Sequence, residues 1–469
     1  MRIDRLDLHN FKKFKEETFE FPRSVNAPAD AGSFHVLIGE NGSGKTSVLD
    51  ALAVALGVWL VKVPDSSLAN SRRPILPAEK RLELVQSGDR TLFQEAAGDV
   101  SVKAFGCIED HDCLSWEQRI AEGRKRASNA GSKEAIDIVQ KAYARAKASN
   151  EVVLPVIAYY GAARAWLPHH ERSKFKAKSN RPARRWGAFY DCLNERIRLT
   201  DLASWFQGEA IAKGNRGGNY RPGFEVVRRA VLRSVRGASD IWYDGDRGEI
   251  VLAIDDNAQP LSNLSAGQRT MLALVADIAI KAVTQNNFLV PSDALTDEDE
   301  PLPRVLDRTP GVVLIDELDV HLHPKWQRAV VEDLRSVFPR VQFIGTTHSP
   351  FIVQSLREDE LINLQGQPVP NLGKLSVETI VQGLMGVERP DVSQRYEKMV
   401  DAAKSYLLTL EEAAKAPADK LAEYEQRLAA GIAPYADNPA FQAFLELKHT
   451  AKLGRKPATE DELARHRGA

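Results

Sequence analysis

Apolar and polar residues alternate through the N-terminal region in a pattern typical of strands. Across residues 3–21 this alternation indicates a pair of half-buried strands. Residues 34–38 form a short apolar strand that runs into a glycine-rich turn. Residues 47–60 then form an apolar helix, with no helix breaker before Gly57. This order of strand, glycine-rich turn and helix predicts an α/β fold.

Further along the chain the pattern predicts strands and helices in turn. The strands are predicted at residues 100–105, 152–160, 312–315 and 341–346, of which the last two are of the parallel-sheet type. Two helices are predicted at residues 225–235 and 270–283. Residues 117–148 are polar and are predicted to form a solvated helical hairpin, interrupted at residues 129–132.

The C-terminal region is predicted to be helical. Residues 391–430 indicate a helical hairpin with a turn near Pro417. Its first helix carries an apolar stripe, formed by Tyr396, Met399, Ala403, Tyr406 and Leu410.

Composition indicates a globular protein without a strong overall charge. The chain has 469 residues, with 63 Lys and Arg against 64 Asp and Glu, which gives a formal net charge of −1. The length predicts about two to three domain-sized units, and the charge argues against a histone-like protein. We expect no transmembrane helix, because no run of about 18 apolar residues occurs. Three cysteines do not make a disulfide framework, so we expect a cytoplasmic protein.

The glycine-rich turn matches the phosphate-binding P-loop pattern. It comprises Gly39, Glu40, Asn41, Gly42, Ser43, Gly44, Lys45 and Thr46, and it continues into Ser47. Backbone amides in such a turn, together with the helix N-terminus, hold phosphate oxygens. Lys45 is predicted to reach the β- and γ-phosphates of ATP, and Thr46 to ligate Mg²⁺. A chance glycine-rich turn is the alternative, and the flanking strand and helix argue against it.

The strand at 312–315 ends in two carboxylates, as a Walker B element does. Asp316 is predicted to hold the Mg²⁺ shell. Glu317 is placed to act as the general base that polarises the attacking water. The alternative is a strand end with two solvated acids. Together with the P-loop, the pair predicts an ATPase.

Two further motifs resemble those of ABC-type ATPases. One motif resembles the signature motif of that class and comprises Ser265, Ala266, Gly267 and Gln268. The other contains His348, which resembles the switch histidine of the same class. Asp319 matches the dimer-interface position called the D-loop. In that class the signature motif binds the γ-phosphate held by the opposite subunit. Because the chain has no second P-loop, the resemblance implies a homodimer with two composite sites.

One motif of the class has no clear counterpart. The Q-loop, which normally supplies a glutamine near the metal, should follow the strand at 155–160, but residues 155–164 contain no glutamine. Either Tyr160 or Arg164 is predicted to take that place. The alternative is a buried strand followed by a capping arginine.

The combination of motifs resembles the RecF/SMC branch of ABC ATPases. It is similar to a bacterial subgroup of predicted ATP-binding proteins that includes PtuA of Septu and the retron-associated anti-phage ATPases. The residues that carry this resemblance lie at 8–14, 159–161, 264–280, 314–326, 342–355 and 375–390. It implies an ATPase head with a mixed sheet, central parallel strands, an antiparallel β part and a helical lobe. It also implies that ATP occupancy controls a separate HNH-type nuclease, since this chain shows no HNH pattern.

These expectations give a domain plan. The ATPase head is predicted at 1–372, with lobe I at about 1–160 and 305–372, a helical insertion near 114–150, lobe II at about 161–290 and a flexible acidic loop at 291–304. Residues 373–469 are predicted to form a helical region for partner binding or dimerisation.

One basic stretch is a candidate for contacts with DNA or RNA. It contains Arg172, Lys174, Lys176, Lys178, Arg181, Arg184 and Arg185, with Phe175 and Trp186 interleaved. Basic residues with aromatics suit phosphate contacts and base stacking, although a solvated basic loop has the same composition. Lys12 and Lys13 are open to two interpretations: they contact the nucleotide or DNA, as the equivalent loop does in the RecF/SMC heads that the chain resembles, or they are surface residues.

The main hypothesis is an ATPase that dimerises on ATP and controls a partner nuclease in anti-phage defence. The alternative is a RecF-like ATPase that itself binds DNA in repair or recombination. A scaffold that binds ATP without turnover is a third possibility, and the intact Asp316–Glu317 pair argues against it. The segments around Asn10 and Tyr160 disfavour a membrane-transporter ATPase.

Overall fold

The computed structural model describes most of the chain. The described residues are 1–23, 28, 31–65, 68, 71–87, 90–149, 151–162, 185–195, 197, 199–290, 302–365, 375–387, 389–415, 423–424, 427–428 and 438–454. The acidic segment 291–301 and most of the basic stretch, including Arg172 to Arg184, lie outside them. The chain divides into one compact unit at Met1–Ile380 and a second at Val381–Ala469.

Strands and helices alternate through the first unit. Its strands are β1 Arg2–Phe11, β2 Phe14–Glu20, β3 Phe34–Ile38, β4 Leu82–Ser87, β5 Arg90–Glu95, β6 Val100–Ile108, β7 His111–Ile120, β8 Val156–Tyr160, β9 Ala238–Asp244, β10 Glu249–Ile254, β11 Asn257–Pro260, β12 Gly311–Ile315, β13 Val341–Thr346 and β14 Leu361–Asn363. The α-helices of the two units together are α1 Lys45–Leu56, α2 Lys133–Ala148, α3 Leu199–Asn215, α4 Pro222–Ser234, α5 Ala266–Gln285, α6 Arg304–Arg308, α7 Pro324–Gln327, α8 Val330–Val337, α9 Pro350–Gln354, α10 Val377–Gly383, α11 Gln394–Ala413 and α12 Pro439–Leu453. Of these, α11 and α12 belong to the second unit.

A parallel sheet forms the centre of the first unit. Its strand order is β14-β3-β13-β12-β8, and every neighbouring pair is parallel. Strands β3, β8, β12 and β13 are buried along their whole length, which explains why their sequences read as short apolar runs. Their carboxyl ends share one edge, and that edge carries the loops of the candidate site.

An antiparallel sheet of order β2-β1-β6-β7 forms a second layer. Helix α1 contacts both this sheet and the parallel sheet. A helix enclosed on two sides needs apolar residues around most of its circumference, and from Val48 to Leu56 every residue of α1 is buried. The predicted α/β class with parallel and antiparallel parts is confirmed.

The predicted helical insertion near 114–150 is wrong in its first part. Residues His111–Ile120 form β7, which pairs with β6 in antiparallel register. Leu114 and Trp116 face inward, and the indole N–H of Trp116 donates to the Ala55 carbonyl at 2.9 Å. On the other face of β7, Ser115 and Glu117 are half-buried and Arg119 is exposed, so a strand with one polar face had the composition expected of a solvated helix. The α-helix of this segment is α2, which follows a 3₁₀ turn at Ala130–Ser132.

The remaining sheets lie outside this centre. Strands β9, β10 and β11 form a three-stranded antiparallel sheet, and β4 and β5 form a two-stranded hairpin. The predicted helices at 225–235 and 270–283 are confirmed as α4 and α5.

The second unit contains a small apolar cluster formed by α11, α12 and a residue between them. Its buried members are Tyr406, Leu410, Leu428, Phe441 and Leu445. The first predicted helix of the C-terminal hairpin is confirmed, and its predicted turn near Pro417 lies outside the described residues. Across the described parts of both units, no helix combines the length and the apolar character that a membrane span requires.

Candidate functional site

The P-loop joins β3 to α1 in the conformation that its glycines allow. Gly42 has a φ of +81° and Gly44 a φ of +104°, values that residues with a side chain rarely adopt. A Cβ at Gly44 would lie 2.6 Å from the Phe14 ring, so the β1–β2 turn presses directly on the loop. The sequence predicted the loop, but not the aromatic residue that packs on it.

The amine of Lys45 is folded onto its own loop. It donates to the carbonyl oxygens of Gly39 at 2.7 Å and Glu40 at 3.0 Å. Burial lowers the pKa of Lys45, and the nearby carboxylates of Asp316 and Glu317 partly offset that effect. The amine is therefore a desolvated cation at the position predicted for phosphate binding.

A hydroxyl and a carboxylate from distant parts of the sequence meet beside this lysine. The Thr46 hydroxyl donates to Oδ2 of Asp316 at 2.9 Å across 270 positions of sequence. Hydroxyl and carboxylate oxygens are the hard donors that Mg²⁺ prefers, with phosphate oxygens and water completing an octahedron. The pair thus fits the magnesium ion that the P-loop implies.

These residues line one cleft of about 460 Å³. Its lining residues come from the β1–β2 turn, the P-loop, the Walker B strand and the switch loop, namely Lys12, Lys13, Asn41, Gly42, Gly44, Lys45, Thr46, Ser47, Asp316, Glu317 and His348. The structure therefore brings together three of the four predicted motifs.

The backbone of Glu317 adopts an unusual conformation. Its φ is +48°, in the left-handed region that a non-glycine residue enters at a cost. Its N–H donates to the hydroxyl of Thr346 at 2.7 Å, and the same hydroxyl donates to Oδ1 of Asp316 at 2.6 Å. Sequence reasoning missed Thr346, although a polar residue at the end of a buried strand beside the predicted site was a usable signal.

The D-loop residue Asp319 holds the switch loop within the same chain. Its Oδ1 accepts a hydrogen bond from the backbone N–H of His348 at 3.1 Å and another from the hydroxyl of Thr347 at 2.5 Å. These bonds leave the His348 side chain exposed at the cleft. Thr347 was also missed.

The signature segment lies apart from the cleft lining. Ser265 caps α5: its hydroxyl accepts from the Gln268 N–H at 3.2 Å, and its own N–H donates to the Gln268 side-chain oxygen at 3.0 Å. Ser265 and Ala266 are exposed, and none of the residues that line the cleft comes from 264–268. This segment is predicted to belong to a composite site, and it does not line the cleft of its own chain.

The prediction that Tyr160 serves near the metal is wrong. Its hydroxyl donates to Asp277 on α5 at 2.6 Å, on the other side of the sheet from the Walker B carboxylates. Side chains alternate along a strand, so the neighbouring Tyr159 faces α1 instead. Burial raises the pKa of Tyr159, and the carboxylates of Asp50 and Asp316 raise it further. Arg164 lies outside the described residues.

Arg185, the described member of the basic stretch, is used inside the fold. Its guanidinium donates to the carbonyl oxygens of Gln285 at 2.6 Å and Ala146 at 3.3 Å, and also to that of Val152. Because these bonds engage the side chain, we withdraw Arg185 from the predicted nucleic-acid contacts. The other predicted contacts, Arg172, Lys174, Lys176, Lys178, Arg181 and Arg184, lie outside the described residues.

Lys12 and Lys13 face the P-loop and its helix. The amine of Lys13 donates to the Gly42 carbonyl at 2.7 Å. Lys12 pairs with Asp50 on α1, and its amine also lies 3.5 Å from a carboxylate oxygen of Glu79. Of the two interpretations left open by the sequence, contact with the nucleotide-binding region is the one that this placement favours.

Comparisons with known proteins agree with the geometry. Residues 137–354 match the family described as "AAA domain, putative AbiEii toxin, Type IV TA system", and residues 5–204 match a family described as "AAA domain". Each match covers less than half of the chain, and this similarity to AAA domains accords with the P-loop and the Walker B element.

Several similar curated proteins are named as Septu or retron proteins. The chain is 26% identical to the Septu protein PtuA of Bacillus mycoides over 76% of its own length and 40% of the relative's. It is 24% identical to the retron Vc95 probable ATPase of Vibrio cholerae over 77% of the chain and 73% of the relative. It is 33% identical to the retron Ec83 probable ATPase of Escherichia coli, over 35% of the chain and 29% of the relative. The chain thus spans well under half of the first relative, and the resemblance to these ATPases is confirmed.

Solved structures of SMC heads are also similar. The SmcHead bound to the C-winged helix domain of ScpA has a TM-score of 0.40 and 17% identity, and it covers 77% of the chain and 94% of that structure. The SMC head domain from Thermotoga maritima has a TM-score of 0.38 and 13% identity, with the same coverage.

Proposed function

We propose that the chain binds ATP in this cleft, hydrolyses it in composite sites formed by two copies, and thereby regulates a separate nuclease in anti-phage defence. The observation that carries the catalytic part is the convergence of Lys45, the Thr46–Asp316 pair and Glu317 in one cleft. A cation, a pair of magnesium-ligating oxygens and a carboxylate base are the groups that phosphoryl transfer to water requires.

Each of these groups has a distinct task. The P-loop amides and the N-terminus of α1 hold phosphate oxygens, and Lys45 leaves its two carbonyl partners to contact the γ-phosphate. Thr46 and Asp316 hold the magnesium ion, which, when bound, neutralises charge on the phosphate oxygens. Glu317 accepts a proton from the attacking water. His348, exposed at the cleft, donates a hydrogen bond to the γ-phosphate.

The proposal of two copies rests on where the signature segment lies. Ser265 sits at the N-terminus of a 20-residue helix and is exposed, so it presents an anion-binding end to a partner. A second copy, placed across the cleft, supplies its Ser265 to the γ-phosphate. The interface that forms around ATP is then lost on hydrolysis, which makes nucleotide state a switch.

The proposed partner is a nuclease of the HNH type, encoded beside the ATPase. The observation that supports this role is the resemblance to Septu PtuA and to retron ATPases. The second compact unit, at Val381–Ala469, is the part of the chain that we propose as the docking site. Co-expression with the neighbouring nuclease, followed by co-purification and a DNA-cleavage assay with and without ATP, tests it. Cleavage that does not respond to ATP would contradict the regulatory role.

The catalytic part is tested by phosphate release from purified protein. Wild-type protein should release phosphate from ATP in a Mg²⁺-dependent reaction. Lys45→Ala should weaken binding of a fluorescent ATP analogue by at least about 10-fold, since it removes a desolvated charge contact. Lys133→Ala is the matched control, because Lys133 is also the first residue of a helix but is exposed and distant from the cleft. Equal activity in both variants would refute the site.

A further inference from the structure

We propose that Thr346 is a positioning residue for hydrolysis: its hydroxyl fixes both the Walker B carboxylate and the backbone of the general base. This inference deepens the proposed ATPase function and rests on it. The role is carried by two hydrogen bonds of the buried Thr346 hydroxyl and by a third that Thr46 donates to Asp316. It does not depend on the dimer or on the partner nuclease.

The hydroxyl of Thr346 serves two neighbours at once. It donates its proton to Oδ1 of Asp316 at 2.6 Å and accepts the N–H of Glu317 at 2.7 Å. Thr346 has no exposed surface, so no solvent competes for either bond. A hydroxyl can donate one proton and can accept hydrogen bonds through its lone pairs. Here Thr346 donates its proton to the carboxylate and accepts the amide N–H through a lone pair.

The order of the strands explains why this residue reaches Asp316. Strands β12 and β13 are parallel neighbours, with Ile315 opposite Gly345, so the residues that follow this pair lie side by side. On the opposite flank, the Thr46 hydroxyl binds the other carboxylate oxygen of Asp316. The carboxylate is thus held between one hydroxyl from α1 and one from β13.

The second bond acts on Glu317. A left-handed backbone is unfavourable for a residue with a side chain, and Glu317 adopts it with a φ of +48°. The bond from its N–H to Thr346 offsets part of that cost and fixes where the chain turns after β12. The turn decides where the Glu317 carboxylate lies in the cleft, so Thr346 acts on the base through the backbone.

A purely structural role is the competing explanation. A buried hydroxyl that satisfies a strand end stabilises the protein without acting on the reaction. The chain offers a matched comparison in Thr309, which is 2% exposed and lies just before the other end of β12. Its hydroxyl donates to Val305 at 2.5 Å and accepts from the Asn286 amide at 2.9 Å. Thr309 therefore has the same burial and one bond of each kind, but it is remote from the cleft.

The test compares Thr346→Val, Thr346→Ser and Thr309→Val in the full chain. Valine keeps the shape of threonine and removes the hydroxyl, and serine keeps the hydroxyl. A positioned general base contributes about 10²- to 10⁴-fold to the rate. Because Thr346→Val displaces the base without removing it, we expect a smaller loss, with kcat lowered by about 10- to 100-fold. Its affinity for a fluorescent ATP analogue should change less than about 3-fold, because the P-loop contacts remain. Serine should restore kcat, and Thr309→Val should leave it unchanged at a similar loss of unfolding midpoint.

A double-mutant cycle identifies the group through which Thr346 acts. If it acts mainly through Glu317, adding Thr346→Val to Glu317→Gln should lower the single-turnover rate by less than about 3-fold. The inference is overturned if Thr346→Val behaves like Thr309→Val. If the full effect of Thr346→Val persists beside Glu317→Gln, Thr346 acts through Asp316 alone, and the part of the inference that concerns the base is overturned. If Thr346→Val does not fold, the serine variant still decides: a large loss of kcat in a folded Thr346→Ser would contradict the role of the hydroxyl. Wild-type hydrolysis in the same assay reports separately on the proposed function.

Discussion

A side chain added at Gly267 would place its Cβ 2.6 Å from the carbonyl oxygen of His321. Gly267 lies in the first turn of the signature helix α5, and His321 lies in the loop that follows the Walker B strand, with a left-handed φ of +65°. The signature helix and the loop after the catalytic carboxylates are therefore in direct backbone contact within one chain. Because the two backbones touch, a displacement of either segment requires a displacement of the other.

Replacing Gly267 by alanine should break this contact. The added methyl cannot be accommodated without shifting α5 or the His321 loop, because its neighbour is backbone rather than a flexible side chain. We expect kcat for ATP to fall by about 10-fold or more, with ATP affinity of the isolated chain nearly unchanged, since the cleft contacts are untouched. Steady-state hydrolysis and nucleotide titration measure the two quantities.

The control for this variant is Gly208→Ala. Gly208 lies within α3, and a Cβ there would meet no atom within 4 Å. This change should preserve hydrolysis and raise stability slightly, by up to about 1 kcal/mol, because alanine favours the helix. Normal turnover by Gly267→Ala would show that the contact does not matter to the reaction.

Glu317→Gln should separate ATP binding from hydrolysis. The amide keeps the size of the side chain but cannot accept a proton from water, so the rate should fall by about 10²-fold or more. We expect the variant to accumulate as an ATP-bound dimer in light scattering, while the wild type cycles back to monomer. Glu134→Gln, an exposed carboxylate at the start of α2, is the control. Full turnover by Glu317→Gln would refute the assignment of the base.

The two glycines at the P-loop tip should differ in their tolerance of a side chain. At Gly42 an added Cβ would have no atom within 4 Å. The Gly42→Ala variant should therefore lose only the free energy of the left-handed backbone, roughly 1–2 kcal/mol of unfolding free energy. At Gly44 the Cβ also collides with the Phe14 ring and the Lys13 side chain, which adds about 1–3 kcal/mol.

Urea unfolding without nucleotide measures both losses. Shortening the neighbour in a Phe14→Leu background should recover part of the Gly44→Ala loss and none of the Gly42→Ala loss. Equal losses in the two single variants would contradict the close approach of the β1–β2 turn to the loop.

His35 should make the protein less stable in mild acid. Burial lowers the pKa of His35 to about 4, and the bond from its ring to the Pro22 carbonyl only partly opposes that effect. In the unfolded chain its pKa returns to about 6.5. Between these values the unfolded state binds the extra proton, so stability is lost as the pH falls from 6.5 towards 4.

At pH 5 the loss from this group should be about 2 kcal/mol relative to neutral pH. Denaturant unfolding at pH 7.5 and pH 5.0 measures it, with His35→Gln as the comparison. The charges near the ring, on Arg2, Asp4 and Asp359, are kept in both proteins. The same pH dependence in wild type and variant would show that His35 is not the group responsible.

Much of the candidate site was readable from the sequence because its motifs are local. A P-loop needs glycines, a lysine and a hydroxyl at fixed positions within eight residues, and the strand before it is apolar because both its faces are buried. The Asp316–Glu317 pair was readable for the same reason, at the end of a buried strand.

Predictions that depended on which way a side chain points, or on whether one face of an element is covered, were wrong at two places. Tyr160 and Tyr159 are adjacent in sequence, and only the packing of the sheet decides which of them faces α1. The pattern of polar residues from 114 onwards predicts a helix where the second half of β7 forms, because one face of that strand is polar and partly exposed. Its inner face is covered by elements far away in sequence.

Residue types at short, fixed spacing were enough to predict the fold class, the phosphate-binding loop and the Asp316–Glu317 pair after a buried strand. Three-dimensional packing was needed to show that Thr346 binds both Asp316 and Glu317, that the Phe14 ring packs against Gly44, and that Arg185 is hydrogen-bonded inside the fold. Those relationships depend on strand order and on which face of each strand is covered. Contacts between distant segments set both, and no local pattern encodes them.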